Sequence, residues 1–406
     1  MKKVVIIGGG ASGLTAAINA KNDNNEIIIL EQNNICGKKL LVTGSGRCNY
    51  WNTDQDISHY HSYNTDLLEK FINEDIKKSA INFIDNIGVI PKIKNGYYYP
   101  SSNQATSVAS SLLTEVKIKN IIIKTNKEVQ KITKKNNKFE IICQDEIINC
   151  DFLVAAMGTC ASINKPYNGY ELLKKLGHKI IEPLPSLVGL KAKGNYFKLW
   201  SGVRQDATIY LREDNKIIHK EKGEVQFTDY GISGICVFNM SGRISRGLSQ
   251  NKKEEIIINF YPEIAISFRT WLEERNNKLK GRTILELLEG TLNYKLIKTM
   301  LKITSISEKL SWDTLSSTQK IDLIKNLTNF SLLITGTNST IKAQVMTGGI
   351  SLSEINSETM ESLICPNLYI TGEILDVDGD CGGYNLSFAW MSGIKAGKSI
   401  REKTDD

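Results

Sequence analysis

The sequence predicts an α/β protein. Its core is a doubly wound, Rossmann-like dinucleotide-binding domain built from both ends of the chain, with a β part and a helical part inserted between them. Three observations predict this. The chain opens with a strand, a glycine-rich turn and an Ala-rich helix. A buried strand, a Gly-rich turn and a long helix return near the C-terminus. The stretch between them changes texture, first strand-like and then helical.

Val4–Ile7 is a short β-branched run and reads as a buried strand. Gly8-Gly9-Gly10-Ala11-Ser12-Gly13 follows, then a helical Leu14–Lys21. Glu26–Leu30 is a second buried strand, ending in Glu31. Gly37–Asn49 is too rich in Gly, Lys and Ser to be a core element. Leu67–Ile87 has helical spacing, Gly96–Pro100 reads as a tyrosine-rich turn, and Ala105–Val116 as a helix. Ile121–Ile123, Glu128–Thr133, Phe139–Cys143 and Glu146–Asn149 read as a meander of short strands, and Phe152–Ala156 as a buried strand. Beyond Pro183, Leu187–Lys191, Ala207–Leu211, Lys216–Lys220, Glu224–Thr228 and Glu255–Phe260 read as strands of a mixed or antiparallel unit. Thr270–Leu279, Thr283–Leu292, Lys295–Met300 and Thr318–Leu327 read as helices, Leu368–Thr371 as a buried strand and Asn385–Arg401 as the last helix. The expected division is 1–186 and 341–406 for the nucleotide-binding domain, 187–262 for the inserted β domain and 263–340 for the helical subdomain.

Composition narrows the function classes. Over 406 residues, 41% hydrophobic and 23% charged content excludes a disordered chain. The net charge of +7 is a mild surplus, and the clusters Lys134-Lys135 with Lys138, and Lys252-Lys253, read as solvated loops, so no nucleic-acid partner is expected. The 8 cysteines contain no C-x-x-C pair and read as reduced, cytoplasmic residues. No apolar run reaches the roughly 18–20 residues a membrane helix needs. Met1-Lys2-Lys3 and the apolar stretch after it resemble a signal peptide, but the glycine pattern explains that stretch better.

Gly8-x-Gly10-x-x-Gly13 sits between strand and helix. Gly8 permits a tight turn, Gly10 lets the backbone approach a pyrophosphate, and Gly13 lets the helix pack closely on the sheet. The helix N-terminus, including Ala11 and Ser12, then faces the phosphate charge. Glu31, 18 positions after Gly13 and followed by Gln32, can accept hydrogen bonds from both ribose hydroxyls of an adenosine. A 2′-phosphate would be repelled there. The fingerprint alone allows NAD or FAD, and the C-terminus favours FAD. Gly372-Glu373 ends a strand, where a carboxylate can hold ribityl hydroxyls. Gly383-Tyr384-Asn385-Leu386 opens a helix whose N-terminus would stabilise a reduced, anionic flavin. Asp376-x-Asp378-Gly379-Asp380 fails as an EF-hand because Cys381 and Ser387 stand where Gly and Glu are required. It reads as a loop approaching a ligand rather than a metal site.

In Gly37–Asn49, Lys38, Lys39, Gly46 and Arg47 suggest a backbone folded over an anionic or planar ligand, with Arg47 stacking on a ring or pairing with a carboxylate. Cys48 lacks a partner thiol and reads as buried and inert. His59, His61, His178 and His219 show no metal spacing. His59 and His61 alternate, but no acidic partner stands near them in the sequence, so all four read as ordinary surface or loop histidines. Trp390 reads as core.

With these residues in place, the chain resembles the BaiN-like (YhiN-type) flavoproteins, which include aminoacetone oxidase. The resemblance rests on Gly8–Gly13 with Glu31, on Gly37–Asn49, and on Met346–Ser351, Thr359–Ser362, Gly372–Asp380 and Gly382–Asn385. Gly223–Thr228 with Gly231–Gly234 resembles the middle motif. It implies an FAD domain of the glutathione-reductase type with β-barrel-like and helical inserts. It further implies FAD contacts at Gly8–Gly13, Glu31, Lys38, Lys39, Gly46, Arg47, Gly372, Glu373 and Gly383–Leu386, with the backbone of Val129 at the adenine. The segment Ala156-Met157-Gly158 stands where the family usually has Ala-Thr-Gly-Gly. Asp229 and Ile235 replace the usual His and Pro of the middle motif. These departures touch the substrate side more than the cofactor side.

The expected activity is hydride transfer at flavin N5. The resemblance points to NAD(P)H-linked reduction of a C=C conjugated to a ketone, with Tyr384 and Arg47 as candidate catalytic residues. The alternatives are an amine oxidase releasing H2O2, and an RNA-binding or redox-sensing flavoprotein. The substrate is expected to be a small molecule. The sequence specifies no oligomeric state.

Overall fold

The computed structural model describes residues 1–162, 167–264 and 267–405. The chain divides into two compact units, Met1–Pro183 with Val345–Asp406, and Leu184–Gln344.

The first unit is built on a five-stranded parallel sheet in the order Leu368–Ile370, Phe152–Ala155, Lys2–Ile7, Asn25–Leu30, Ile122–Lys124. Val4 lies opposite both Phe152 and Ile27, so the first strand is central and buried on both faces. The helix Ala11–Ala20 and the C-terminal helix Tyr384–Asp405 bury small residues against each other. Ala16, Ala17, Ala20 and Ala396 have no exposed surface. A three-stranded meander, Val129–Lys135, Lys138–Cys143 and Ile147–Cys150, stands beside the sheet.

The second unit is a closed six-stranded barrel with helices. Its strands run Leu190–Ala192, Gly231–Ser233, Lys216–Phe227, Arg204–Glu213, Glu254–Asn259, Phe330–Thr337. Alternate residues point inward: Ala207, Ile209 and Leu211 from one strand, Ile256 and Ile258 from the next, Leu332 and Ile334 from the last. Trp200 is fully buried with its ring centroid 4.8 Å from that of Phe227.

Several local expectations change. The turn of the tyrosine segment is Asn95-Gly96, both at positive φ, and Tyr97–Pro100 is a strand paired with Pro91–Lys94. The Leu67–Ile87 helix is two helices, Leu68–Phe71 and Glu74–Asn86. Asn73 restarts the second by accepting the Ile76 N–H at 3.0 Å. Ile122–Lys124 joins the parallel sheet rather than the meander. The two strands expected at 216–220 and 224–228 are one, Lys216–Phe227, because the whole run pairs with Arg204–Glu213. The helix Ile235–Ser249 was masked by its Gly, Ser and Asn content, which favours turns in isolation. The strand Phe330–Thr337 closes the barrel from within a stretch that reads as helical.

Candidate functional site

The glycine turn is shaped by sterics. A Cβ on Gly8, which sits at φ +106°, would lie 2.2 Å from the Ala156 carbonyl oxygen. One on Gly13 would lie 2.0 Å from that of Gly8. A Cβ on Gly10 would meet nothing within 4 Å, so the backbone faces open space there. The helix that starts at Ala11 has no side-chain cap and no acid in its first turn, and its first N–H groups serve that space. Glu31 is buried beside the turn. Its Oε2 accepts the Gly9 N–H at 2.8 Å, and its Oε1 accepts the backbone and side-chain N–H of Asn33 at 2.8 and 2.7 Å. Gln32 follows, half-buried. An open cradle, uncapped donors and a fixed carboxylate fit the adenosine diphosphate half of a dinucleotide.

The Gly37–Asn49 segment folds back on itself through Gly44, Ser45 and Gly46, all at positive φ. Lys39 Nζ reaches both carboxylate oxygens of Glu373 at 2.9 and 2.7 Å, joining residues 334 positions apart. Thr159 Oγ1 adds a donor to the same carboxylate at 3.3 Å. Lys38 stays exposed, 3.4 Å from Asn33 Oδ1. Arg47 lies over Tyr99, 5.2 Å from the ring centroid, and its Nε donates to Gly44 O. Cys48 is fully buried and its thiol is pushed up to about 11 by that burial, which suits an inert residue.

Ala156-Met157-Gly158 leaves the strand Phe152–Ala155, and Tyr167 donates its hydroxyl to Gly158 O at 2.5 Å. Val129 opens its strand, and its carbonyl accepts Asn168 Nδ2 at 2.9 Å. Gly372, at φ +75°, lies so close to the first helix that a Cβ would strike Ser12 Oγ at 2.4 Å, which sets Glu373 beside the glycine turn.

At the start of the C-terminal helix, the Ser387 N–H bonds Gly383 O, and the first-turn N–H groups precede it. The Asn385 amide is engaged with Gly379, accepting its N–H at 2.9 Å and donating to its carbonyl at 2.8 Å, so Asn385 shapes the loop with its side chain. Tyr384 is buried. Burial, with Asp54 and Asp380 nearby, holds its hydroxyl well above the ordinary phenol value, so it stays protonated. Leu386 packs half-buried against the core.

The sequence reading missed the partners of the histidines. Asp380 stands between His59 and His61, at 2.9 and 2.8 Å. It lies 321 and 319 positions away, and only the pairing of Tyr60-His61 with Asp378-Gly379 brings it there. The alternation in His59-x-His61 and in Asp378-Gly379-Asp380 was the available signal. Asp376 accepts from Ser62 Oγ and Tyr63 N–H, so two acids of this loop hold protein groups. His178 is no surface histidine. It is buried between Glu354 and Ser362, 2.9 Å from each. That order matches a hydrolase triad, but Ser362 is buried and its Oγ accepts the N–H of Ile364 and Cys365, which closes a turn instead. Trp390 is core, and its Nε1 donates to Tyr50 O.

The HI0933-like protein Rossmann domain family matches residues 2–399. A 3-dehydro-bile acid delta(4,6)-reductase from Clostridium scindens is 35% identical, over 99% of this chain and 100% of that protein. A ribosomal RNA dihydrouridine synthase from Escherichia coli is 25% identical, over 96% of this chain and 95% of that protein. Among solved structures, an open flavocytochrome c3 fumarate reductase is similar at TM-score 0.49 and 12% identity, covering 100% of this chain and 79% of that one.

Proposed function

This chain belongs to the HI0933-like Rossmann-domain family and is an FAD-dependent oxidoreductase, and from that premise we propose that it reduces a C=C bond conjugated to a carbonyl. The full-length 35% likeness to a reductase carries the reading. FAD, when bound, supplies two-electron hydride chemistry. Gly8, Gly10, Ala11, Ser12 and Gly13 take its pyrophosphate, with Met157 and Gly158 across the turn. Glu31 and Gln32 take the adenine ribose, the Val129 backbone the adenine, and Lys39 with Glu373 the ribityl side. Gly383 to Leu386 would offer N–H groups to the ring, and Lys38, Gly46 and Arg47 belong to the loop that would help hold it. Tyr384, held protonated, is the donor for the proton that a reduced C=C requires. Arg47, seated on Tyr99, holds the loop rather than the reacting atoms. NAD(P)H is the electron donor of this reading, and the preferred substrate is a polycyclic ketone with a Δ4 or Δ4,6 double bond.

A second reading has its own support. Of the Lys and Arg residues, 24 lie in 184–344 against 16 Asp and Glu, whereas the remaining residues carry 27 against 28. The whole positive surplus therefore belongs to the inserted unit. There Lys295, Lys298 and Lys302 rim a hollow of about 580 Å³ beside half-exposed Tyr294, with Glu308 paired to Lys298. Such a surface suits a polyanion. A uracil in RNA has a C=C conjugated to its 4-carbonyl, so the chemistry is the same.

Anaerobic stopped-flow absorbance separates these readings. The expected result is bleaching of the flavin band by NADH or NADPH, then recovery on adding a 3-oxo-Δ4,6 steroid acid. Recovery only with ribosomal RNA, weakening as salt rises, would move the assignment to the second reading. Bleaching only by an amine, with peroxide formed in air, would replace both with an oxidase.

A further inference from the structure

A cluster of titratable side chains lies next to Tyr384, and the FAD contacts proposed above do not use it. Asp380 is 12% exposed. Its Oδ2 is 2.9 Å from His59 Nδ1 and its Oδ1 is 2.8 Å from His61 Nε2. His59 Nε2 is 3.2 Å from Oδ2 of Asp54, whose side chain is 63% exposed. The His59 ring stacks on Tyr384, with centroids 4.5 Å apart and planes at 17°. The backbone fixes this geometry. Asp378 pairs with His61 and Gly379 with Tyr60, and the Asp380 N–H donates to His59 O at 3.0 Å.

A simple clamp between two segments needs one donor. Here two imidazoles converge on one nearly buried carboxylate, and one of them also contacts an acid open to solvent. Such a chain can hold a proton and exchange it with water. The titratable groups facing His59 are Asp54, Asp56, Asp380 and Tyr384, with Tyr60 and Tyr97 packed around Tyr384. Burial pulls the His59 imidazolium down, but the hydrogen bonds to Asp380 and Asp54 outweigh it and hold the ring above its ordinary value.

We propose that His59, Asp380 and His61 form the proton store of the oxidoreductase site, loaded from solvent through Asp54 and drawn on beside Tyr384. This rests on the reading that places Tyr384 at the reacting ring. The balance is simple. Reduction of C=C–C=O places a hydride, with its two electrons, on the β carbon and one proton on the α carbon. NAD(P)H is the hydride source, the proton comes from the store stacked beside Tyr384, and water restores it through Asp54 once per turnover. Negative charge added to the site on reduction raises the proton affinity of the store.

The chain has 4 histidines, so each imidazole can be followed by NMR. One resonance, absent in His59→Gln, is expected to titrate above the ordinary ~6.5 and to fall back in Asp380→Asn. Photoreduction of the holoenzyme with an indicator dye then counts the protons taken up. The wild type is expected to take up more than Asp380→Asn, up to about one more per flavin. An ordinary His59 titration, or equal uptake by the two proteins, overturns the proposal. The His178 resonance reports folding, and His59→Gln provides the same comparison if Asp380→Asn does not fold. Neither measurement uses a C=C substrate. Failure of the reductase reading would instead appear as a holoenzyme with the expected titration and uptake that reduces no enone.

Discussion

The two units solve different electrostatic problems. Residues 1–183 and 345–406 are close to charge balance, and their notable acids are committed inside the unit: Glu31 to Gly9 and Asn33, Glu373 to Lys39, Asp380 to two histidines. Residues 184–344 carry the entire positive surplus, mostly on exposed lysines. A whole-chain value of +7 hides this segregation, which is why it looked too mild to matter. The first unit spends its charges on holding a site together. The second leaves them facing solvent.

The largest expected effects test whether the first unit is built around its glycine turn. Gly13→Val should give a colourless or insoluble protein, since its side chain would overlap the Gly8 carbonyl. Gly10→Ala should fold with the wild-type melting temperature but lose flavin, because its Cβ meets no protein atom and points where the pyrophosphate would lie. Flavin absorbance and thermal melting together read this contrast, and equal melting losses in both variants would break it. Next, Glu31→Ala should weaken FAD retention by about ten- to a hundredfold, the scale of losing about 1.5–3 kcal/mol in charged hydrogen bonds. Fluorescence titration of the apoprotein measures it, and unchanged affinity would take the ribose role away from Glu31.

The inserted unit has its own acid under stress. Glu254 is buried, and burial together with Glu213 raises its carboxyl to about 8. The native state therefore holds a proton that the unfolded chain releases between its ordinary carboxylate value and about 8. Stability from this group falls as pH rises through that window and stays low above it. Denaturant melts at pH 6 and pH 9 should show the drop, and Glu254→Gln should flatten it. A drop of the same size in that variant would place the cause elsewhere. The smallest effects should be alike in both units. Asn73→Ala in the first and Ser316→Ala in the second each remove a helix cap, seen as one side-chain oxygen accepting a backbone N–H at 3.0 and 3.1 Å. Each should cost about 1 kcal/mol, and a large inequality would show that one cap does more than end its helix.

Much of the first unit was legible in the sequence because its signals are local. A β-branched run, three spaced glycines, an Ala-rich helix and an acid after the next strand occupy consecutive residues, and steric rules act on each directly. The second unit was less legible. Lys216–Phe227 looked like two strands because Gly223 and the charges beside it interrupt the apolar pattern. Phe330–Thr337 followed four helical segments and gave no hint of its barrel partners.

The sequence by itself determined the glycine turn, the acid at its side, the strand and helix that carry them, and so the family. It also named Lys39 and Glu373 as cofactor contacts, while His59 and His61 read as ordinary loop histidines and Asp380 only as part of a loop approaching a ligand. Only the tertiary structure decided who meets whom: Lys39 with Glu373, Asp380 between two histidines, His178 with Glu354 and Ser362. The physical reason is one of range. Backbone sterics and side-chain period act over a few residues and can be read along the chain. A hydrogen bond between residues some three hundred positions apart depends on strand pairings that the local pattern does not specify.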